Sequence, residues 1–189
     1  MGIAAAAVVA DRQAEVVDAA TQGDARAFAA LYDAHVERVY RHVYYRVGNR
    51  ADAEDLTQQV FLQAWRAIGR YRRTGAPFLA WLFAIAHNAV AGFYRGLKDA
   101  APLDFEPEVR DRWADPEGAA LAGHDRAAVR RAILRLKPEQ QQVVIMRFVE
   151  GLDHAAVAAA LGTSEGNVRV IQHRALRELR RLLAHRVAP

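Results

Sequence analysis

Between Leu152 and Leu183 the apolar positions recur at three- and four-residue spacing in two runs, and Gly162 separates them. In the first run Val157 and Leu161 are four apart and share a helical face, while Ala158 is small enough to let a second helix cross closely. Gly162 predicts the stop: a residue just past a helix end often takes a left-handed conformation, which glycine enters without steric cost. Thr163 and Ser164 offer hydroxyls to cap the helix that follows. In that helix Val168, Ile171, Ala175, Leu179 and Leu182 form one apolar stripe. The opposite arc carries Arg169, Val170, His173, Arg174, Arg177, Arg180 and Arg181, a basic face suited to a major groove and its flanking phosphates. Two helices about a glycine turn predict a helix-turn-helix, although plain helical bundles share that spacing.

The same period runs through the rest of the chain. It predicts helices over 24–47, 51–69, 77–96, 126–136, 138–149, 153–161 and 165–185, with no strand alternation, so the fold class is all-α. In the second of these, Leu56, Val60, Phe61, Ala64, Trp65 and Ile68 cover a wide apolar arc. Asp55, Gln58, Gln59, Leu62 and Arg66 lie on the other side, a polar stripe that is either a docking face or an ordinary solvated one. The third helix opens with Pro77 at a first helical position and carries Phe78, Trp81, Phe83, Phe93 and Tyr94 beside His87, Asn88 and Arg95. Most of these rings belong to the core of a small helical domain. An asparagine among aromatics, followed by Arg95 and Lys98, also suits unstacked bases: rings stack, the amide reads a base edge, and cations hold phosphate.

Charge divides the chain. Residues 1–98 sum to +3, residues 99–125 to −6 and residues 126–189 to +7. The acidic block contains Pro102, Pro107 and Pro116 and predicts a solvated linker between two small helical domains, 21–98 and 126–189, preceded by a frayed or weakly helical lead over 1–20. Cysteine is absent, which excludes disulfides and thiolate metal sites within this sequence and fits a cytoplasmic protein. The apolar stretch Ile3 to Ala10 is too short to span a bilayer, so membrane insertion is not expected. The seven histidines include no HExxH arrangement, and neither a P-loop nor GxSxG is present; neither an enzyme nor a cofactor is expected. His154 beside Asp153 is explained by helix capping.

Three strings in order, AEDLTQQVFLQAW, WLFAIAHN and LKPEQQQVVIMRFVEGLDHAAVAAALGTSEGNVRVIQHRAL, resemble the extracytoplasmic-function (ECF) group of the bacterial sigma-70 family, over about residues 24–185. The resemblance implies a region 2 domain that binds core RNA polymerase and the −10 element, and a region 4 domain that binds the −35 element. It places Asp55, Gln58 and Gln59, with Leu62 and Arg66 on the same stripe, against the β′ clamp helices; Gln59 stands where the family commonly has glutamate. It assigns −10 contacts to Trp81, Asn88, Tyr94 and Arg95, with a flipped base captured by the aromatic helix and the loop after it. It assigns −35 contacts to Asn167, Arg169, Val170, His173 and Arg174, and a phosphate contact to Arg147; Arg177, further along the helix, is placed for the −35 phosphates. Many relatives have Thr, Lys or Arg, Ser and Arg at positions 167, 169, 170 and 171, so a different −35 sequence is implied. The implied partners are core polymerase through the clamp helices and the β flap, promoter DNA, and an anti-sigma factor. The alternative, a stand-alone helix-turn-helix regulator binding two half-sites as a dimer, leaves the N-terminal half without a role.

Overall fold

The computed structural model describes residues 13–100 and 122–184, and every regular element among them is helical. Residues 13–21 form α1, followed by α2 (Ala25–Val47), α3 (Arg50–Ala67) with a 3-10 turn at Ile68–Arg70, and α4 (Phe78–Ala100). The C-terminal half contains α5 (Ala122–Leu134), α6 (Pro138–Val144) running into a π-helical turn (Ile145–Val149), α7 (His154–Leu161) and α8 (Glu165–Ala184). Most helices fall within a few residues of the expected bounds. The expected helix 138–149 changes its hydrogen bonding at Ile145, and most of the expected acidic linker 99–125 lies outside the described residues.

Local chemistry sets the boundaries. Asp24 caps α2 by accepting from the Arg26 and Ala27 amides at 2.8 and 3.2 Å. The helix ends on Gly48 at φ 82°, and Asn49 then caps α3 through the Asp52 amide at 2.8 Å. Pro138 sits at the start of α6, where its missing N–H costs nothing. The buried Gln141 amide donates to the Leu134 and Leu136 carbonyls at 3.0 Å each, satisfying acceptors that the end of α5 leaves open.

Helices α2, α3 and α4 enclose a core in which Val39, Val43, Val60, Leu82, Phe83 and Val90 are fully buried. The expectation of a weakly ordered lead over 1–20 is corrected over its last part: residues 13–20 lie in α1, where Val17 and Ala20 are buried in this core. An alanine-rich segment gives little amphipathic contrast, and its burial depends on partners distant in sequence. Trp65 was expected in the apolar arc of α3 but is 38% exposed, resting against Phe28 at 4.9 Å. The two halves also pack on one another. α7 lies on α4, α5 and the π turn lie on α2, and Val143, Met146, Leu152 and Val157 join the same buried cluster as Leu82 and Phe83.

Candidate nucleic-acid interface

The glycine turn forms as expected, with Gly162 at φ 62° and the Thr163 amide donating to the Ala158 carbonyl at 3.0 Å. Ser164 Oγ accepts from the Asn167 amide at 3.2 Å, capping α8. The apolar stripe faces inward, with Val168, Ala175 and Leu179 buried, so Asn167, Arg169, Val170, His173, Arg174 and Arg177 all lie exposed on the outer side. Near the N-terminal end of α8, Asn167 donates one amide hydrogen to Thr163 Oγ1 at 2.9 Å. Two residues on, Arg169 is paired with Glu165 at 2.7 Å. An exposed pair of this kind contributes little, so the guanidinium is readily released to a base edge.

Arg147 behaves differently from the other −35 candidates. It is half-buried, donates from Nε to Gln172 Oε1 at 3.3 Å, and donates from Nη1 to the Leu152 carbonyl. His154 Nε2 meets the same Gln172 oxygen at 3.1 Å. Arg147 and His154 thus brace α8 against the turn before α7. The visible role of Arg147 is to hold the recognition helix in place rather than to present a free cation.

On α4 the −10 candidates divide. Trp81, Asn88 and Arg95 are seven apart, which returns each to the same helical face within about 20°. Asn88 and Arg95 are exposed there, and the intervening Ala91 and Gly92 leave that surface low. Ala89 and Val90, their neighbours in sequence, point into the core. Tyr94 is not brought together with the other three. Its hydroxyl donates to the Arg46 carbonyl at 2.6 Å and joins α4 to the end of α2. Burial, with a nearby Asp52 adding to it, raises the phenol pKa against the opposing influence of Arg46.

The family resemblance points to the loop after α4, whereas a further group of aromatic and basic residues gathers at the loop before it. Trp81 packs against Tyr71 and Phe78 with ring centroids 5.1 and 5.3 Å away. Beside them lies a concavity of about 330 Å³ whose lining includes Val17, Tyr71, Arg73, Pro77 and Phe78. Arg70, Arg72 and Arg73 are exposed along this loop, and Arg73 reaches Asp18 of α1 at 3.2 Å. The run RYRR over 70–73 was the available signal, and summing charge over nearly a hundred residues concealed it.

Asp55, Gln58, Gln59, Leu62 and Arg66 are all exposed along α3, while the opposite face is buried. Leu62 is 50% exposed and Tyr32 39%, and a shallow apolar hollow of about 240 Å³ between Phe28, Tyr32 and Trp65 lies beyond the stripe. The surface therefore combines amides and charges with apolar area, a composition suited to protein contact. No described helix is long and apolar enough to cross a membrane.

Residues 31–99 match the Sigma-70 region 2 family and residues 126–179 match Sigma-70, region 4. The chain is 40% identical over 174 residues to the ECF RNA polymerase sigma factor BldN of Streptomyces coelicolor, covering 91% of this chain and 66% of that relative. It is 35% identical over 176 residues to the ECF RNA polymerase sigma factor SigD of Mycobacterium tuberculosis, covering 90% of this chain and 83% of SigD. In fold it is similar to the sigma factor RpoE solved in complex with the anti-sigma factor NepR from Bartonella quintana. That match has a TM-score of 0.65 and 20% identity, and covers 83% of this chain and 96% of that one. With both regions matched in order on a helical scaffold that ends in a helix-turn-helix with a basic outer face, the chain belongs to the ECF group of sigma-70 family sigma factors.

Proposed function

We propose that this chain directs core RNA polymerase to promoters through a −10 and a −35 element, acting as a binding subunit rather than as a catalyst. The observation that carries the reading is the basic outer face of α8 in a helix-turn-helix, on the same chain as the exposed amide and leucine stripe of α3. In this reading Asp55, Gln58, Gln59, Leu62 and Arg66 meet the β′ clamp helices, and the C-terminal half meets the β flap. Trp81, Asn88 and Arg95, with the arginine loop 70–73, hold an unstacked base and its phosphates at the −10 element. Extruding that base costs a few kcal/mol, and its capture stabilises the melted duplex. Asn167, Arg169, Val170, His173, Arg174 and Arg177 read and grip the −35 duplex. The chain acts in the cytoplasm under the control of an anti-sigma factor, the kind of partner with which RpoE was solved.

Transcription in vitro with core polymerase on genomic fragments tests the reading. Starts that depend on this chain and share two upstream elements are expected; their absence, with tight binding of the free chain to particular duplexes, would favour an operator-binding regulator. On a promoter so defined, Arg169→Ala is expected to lose about 1–3 kcal/mol of discrimination at one −35 base pair. A uniform loss across all −35 variants would make Arg169 a phosphate contact.

A further inference from the structure

A single side-chain oxygen ties the recognition helix to the two elements before the glycine turn. Arg147 Nε and His154 Nε2 both meet Gln172 Oε1, at 3.3 and 3.1 Å. A guanidinium N–H only donates, so the Gln172 atom facing Arg147 is the carbonyl oxygen of its amide. The imidazole that faces the same oxygen must also donate, from a protonated Nε2. His154 is the first residue of α7, and Arg147 belongs to the π turn, where a second guanidinium nitrogen donates to the Leu152 carbonyl. Gln172 itself is half-buried, between the half-buried Ile171 and the exposed His173.

With about 100° per residue, Gln172 lies about 40° around α8 from the buried Val168 and about 60° from the exposed Arg169, at the edge where the apolar stripe gives way to the basic face. The apolar contacts alone hold the roll of α8 loosely. α7 packs on α8 and buries Ala156, Val157, Ala158 and Ala160, and small apolar contacts are non-directional. A hydrogen bond, by contrast, is confined to a few tenths of an ångström. A roll of about 20° carries a side chain at a radius of about 5–6 Å through about 2 Å, enough to break a bidentate contact to a base edge. We propose that Gln172 is a positioning residue for −35 recognition: Arg147 and His154 hold its oxygen, which fixes the roll of α8 and with it the register in which Asn167 and Arg169 meet the bases. The role rests on the promoter reading given above, and it assigns base discrimination to a side chain that touches no base. It also gives Arg147 an effect on sequence preference, where a phosphate contact alone would change only affinity.

Two measurements on the full chain test the role. Residual dipolar couplings of backbone amides vary periodically along a helix, and their phase reports the roll of α8 relative to α7 without DNA or polymerase. Gln172→Leu keeps the bulk but removes the oxygen and is expected to shift that phase; Gln172→Glu, whose carboxylate accepts from both donors, is expected to leave it at the native value. The second measurement is transcription with core polymerase from a promoter mapped as above and from its single −35 variants. Gln172→Leu is expected to lower the preference at the base pair read by Arg169 about tenfold. Gln172→Glu is expected to restore the preference, with a uniform loss of output on all variants from its added negative charge. His154→Phe is expected to lower the preference in the native chain and to add nothing in Gln172→Leu, since both act through one contact; it keeps the test decisive if Gln172→Leu fails to fold. An unmoved phase, an unchanged preference in Gln172→Leu, or additive losses in the double variant would overturn the role. So would a Gln172→Glu chain that discriminates no better than Gln172→Leu, which would make the amide NH2 of Gln172 a direct DNA contact. A native chain with no −35 preference, whose α8 still rolls in Gln172→Leu, would instead overturn the promoter reading and the −35 role with it, leaving only the brace.

Discussion

Acidification below pH 6.5 is expected to destabilise this chain by up to about 1.4 kcal/mol per pH unit for each histidine that the fold holds neutral. Three histidines qualify. Burial and the neighbouring Arg38 depress His35 to about 4. His42 is held well below its ordinary value by complete burial, then by Arg46 and His87, and neither of its ring nitrogens has a hydrogen-bond partner among the described residues. His87 is depressed by burial and Arg46, against a smaller opposing effect of its bond to Gln142. The unfolded chain takes up these protons near pH 6.5 while the folded chain resists them, so the stability they confer is complete above pH 6.5 and is lost as pH falls through each folded value, which for His35 is about 4. Denaturant midpoints at pH 7, 6 and 5 measure the slope. His42→Leu, which keeps an apolar contact against Phe83, is expected to flatten it, and an unchanged slope in that variant would assign the acid sensitivity elsewhere.

Phe83→Ala is expected to cost about 3–5 kcal/mol. Phe83 is fully buried in α4 and stacks on His42 of α2 at 4.4 Å, so truncation opens a cavity between α2 and the helix that carries the −10 candidates. At about 2–4 °C per kcal/mol, thermal unfolding should shift down by roughly 6–20 °C. Leu62→Ala, on the exposed stripe, serves as the comparison and is expected to stay within about 0.5 kcal/mol. Equal shifts in the two variants would mean that α4 does not anchor the fold.

The parts of this molecule legible in the sequence are those whose partners are close in the chain. Gly162, Ser164 and Asn167 make their turn and cap among themselves, and the buried stripe from Val168 to Leu179 follows from helical period alone. Trp81, Asn88 and Arg95 share a face for the same reason. Tyr94 could not be placed this way, because its hydroxyl answers a carbonyl 48 residues earlier, at Arg46. The Arg38 and Arg41 contacts to Glu150 span 112 and 109 residues, and nothing local marks them. The family resemblance implies a phosphate contact at Arg147, yet the orientation of this side chain depends on Gln172 and on the carbonyl of Leu152. The π turn that carries it has the same apolar spacing as an α-helix.

The recognition helix carries five arginines, Arg169, Arg174, Arg177, Arg180 and Arg181, but two of them already hold carboxylates: Arg169 with Glu165, and Arg181 with Glu178. To a duplex coated in condensed sodium or potassium ions, this face therefore approaches with three net charges rather than five. The number of ions expelled on binding should follow the smaller figure, giving a slope of log K against log salt of roughly −2.7 rather than −4.5. Grip on the upstream duplex would then change comparatively little when the ionic strength around the protein rises.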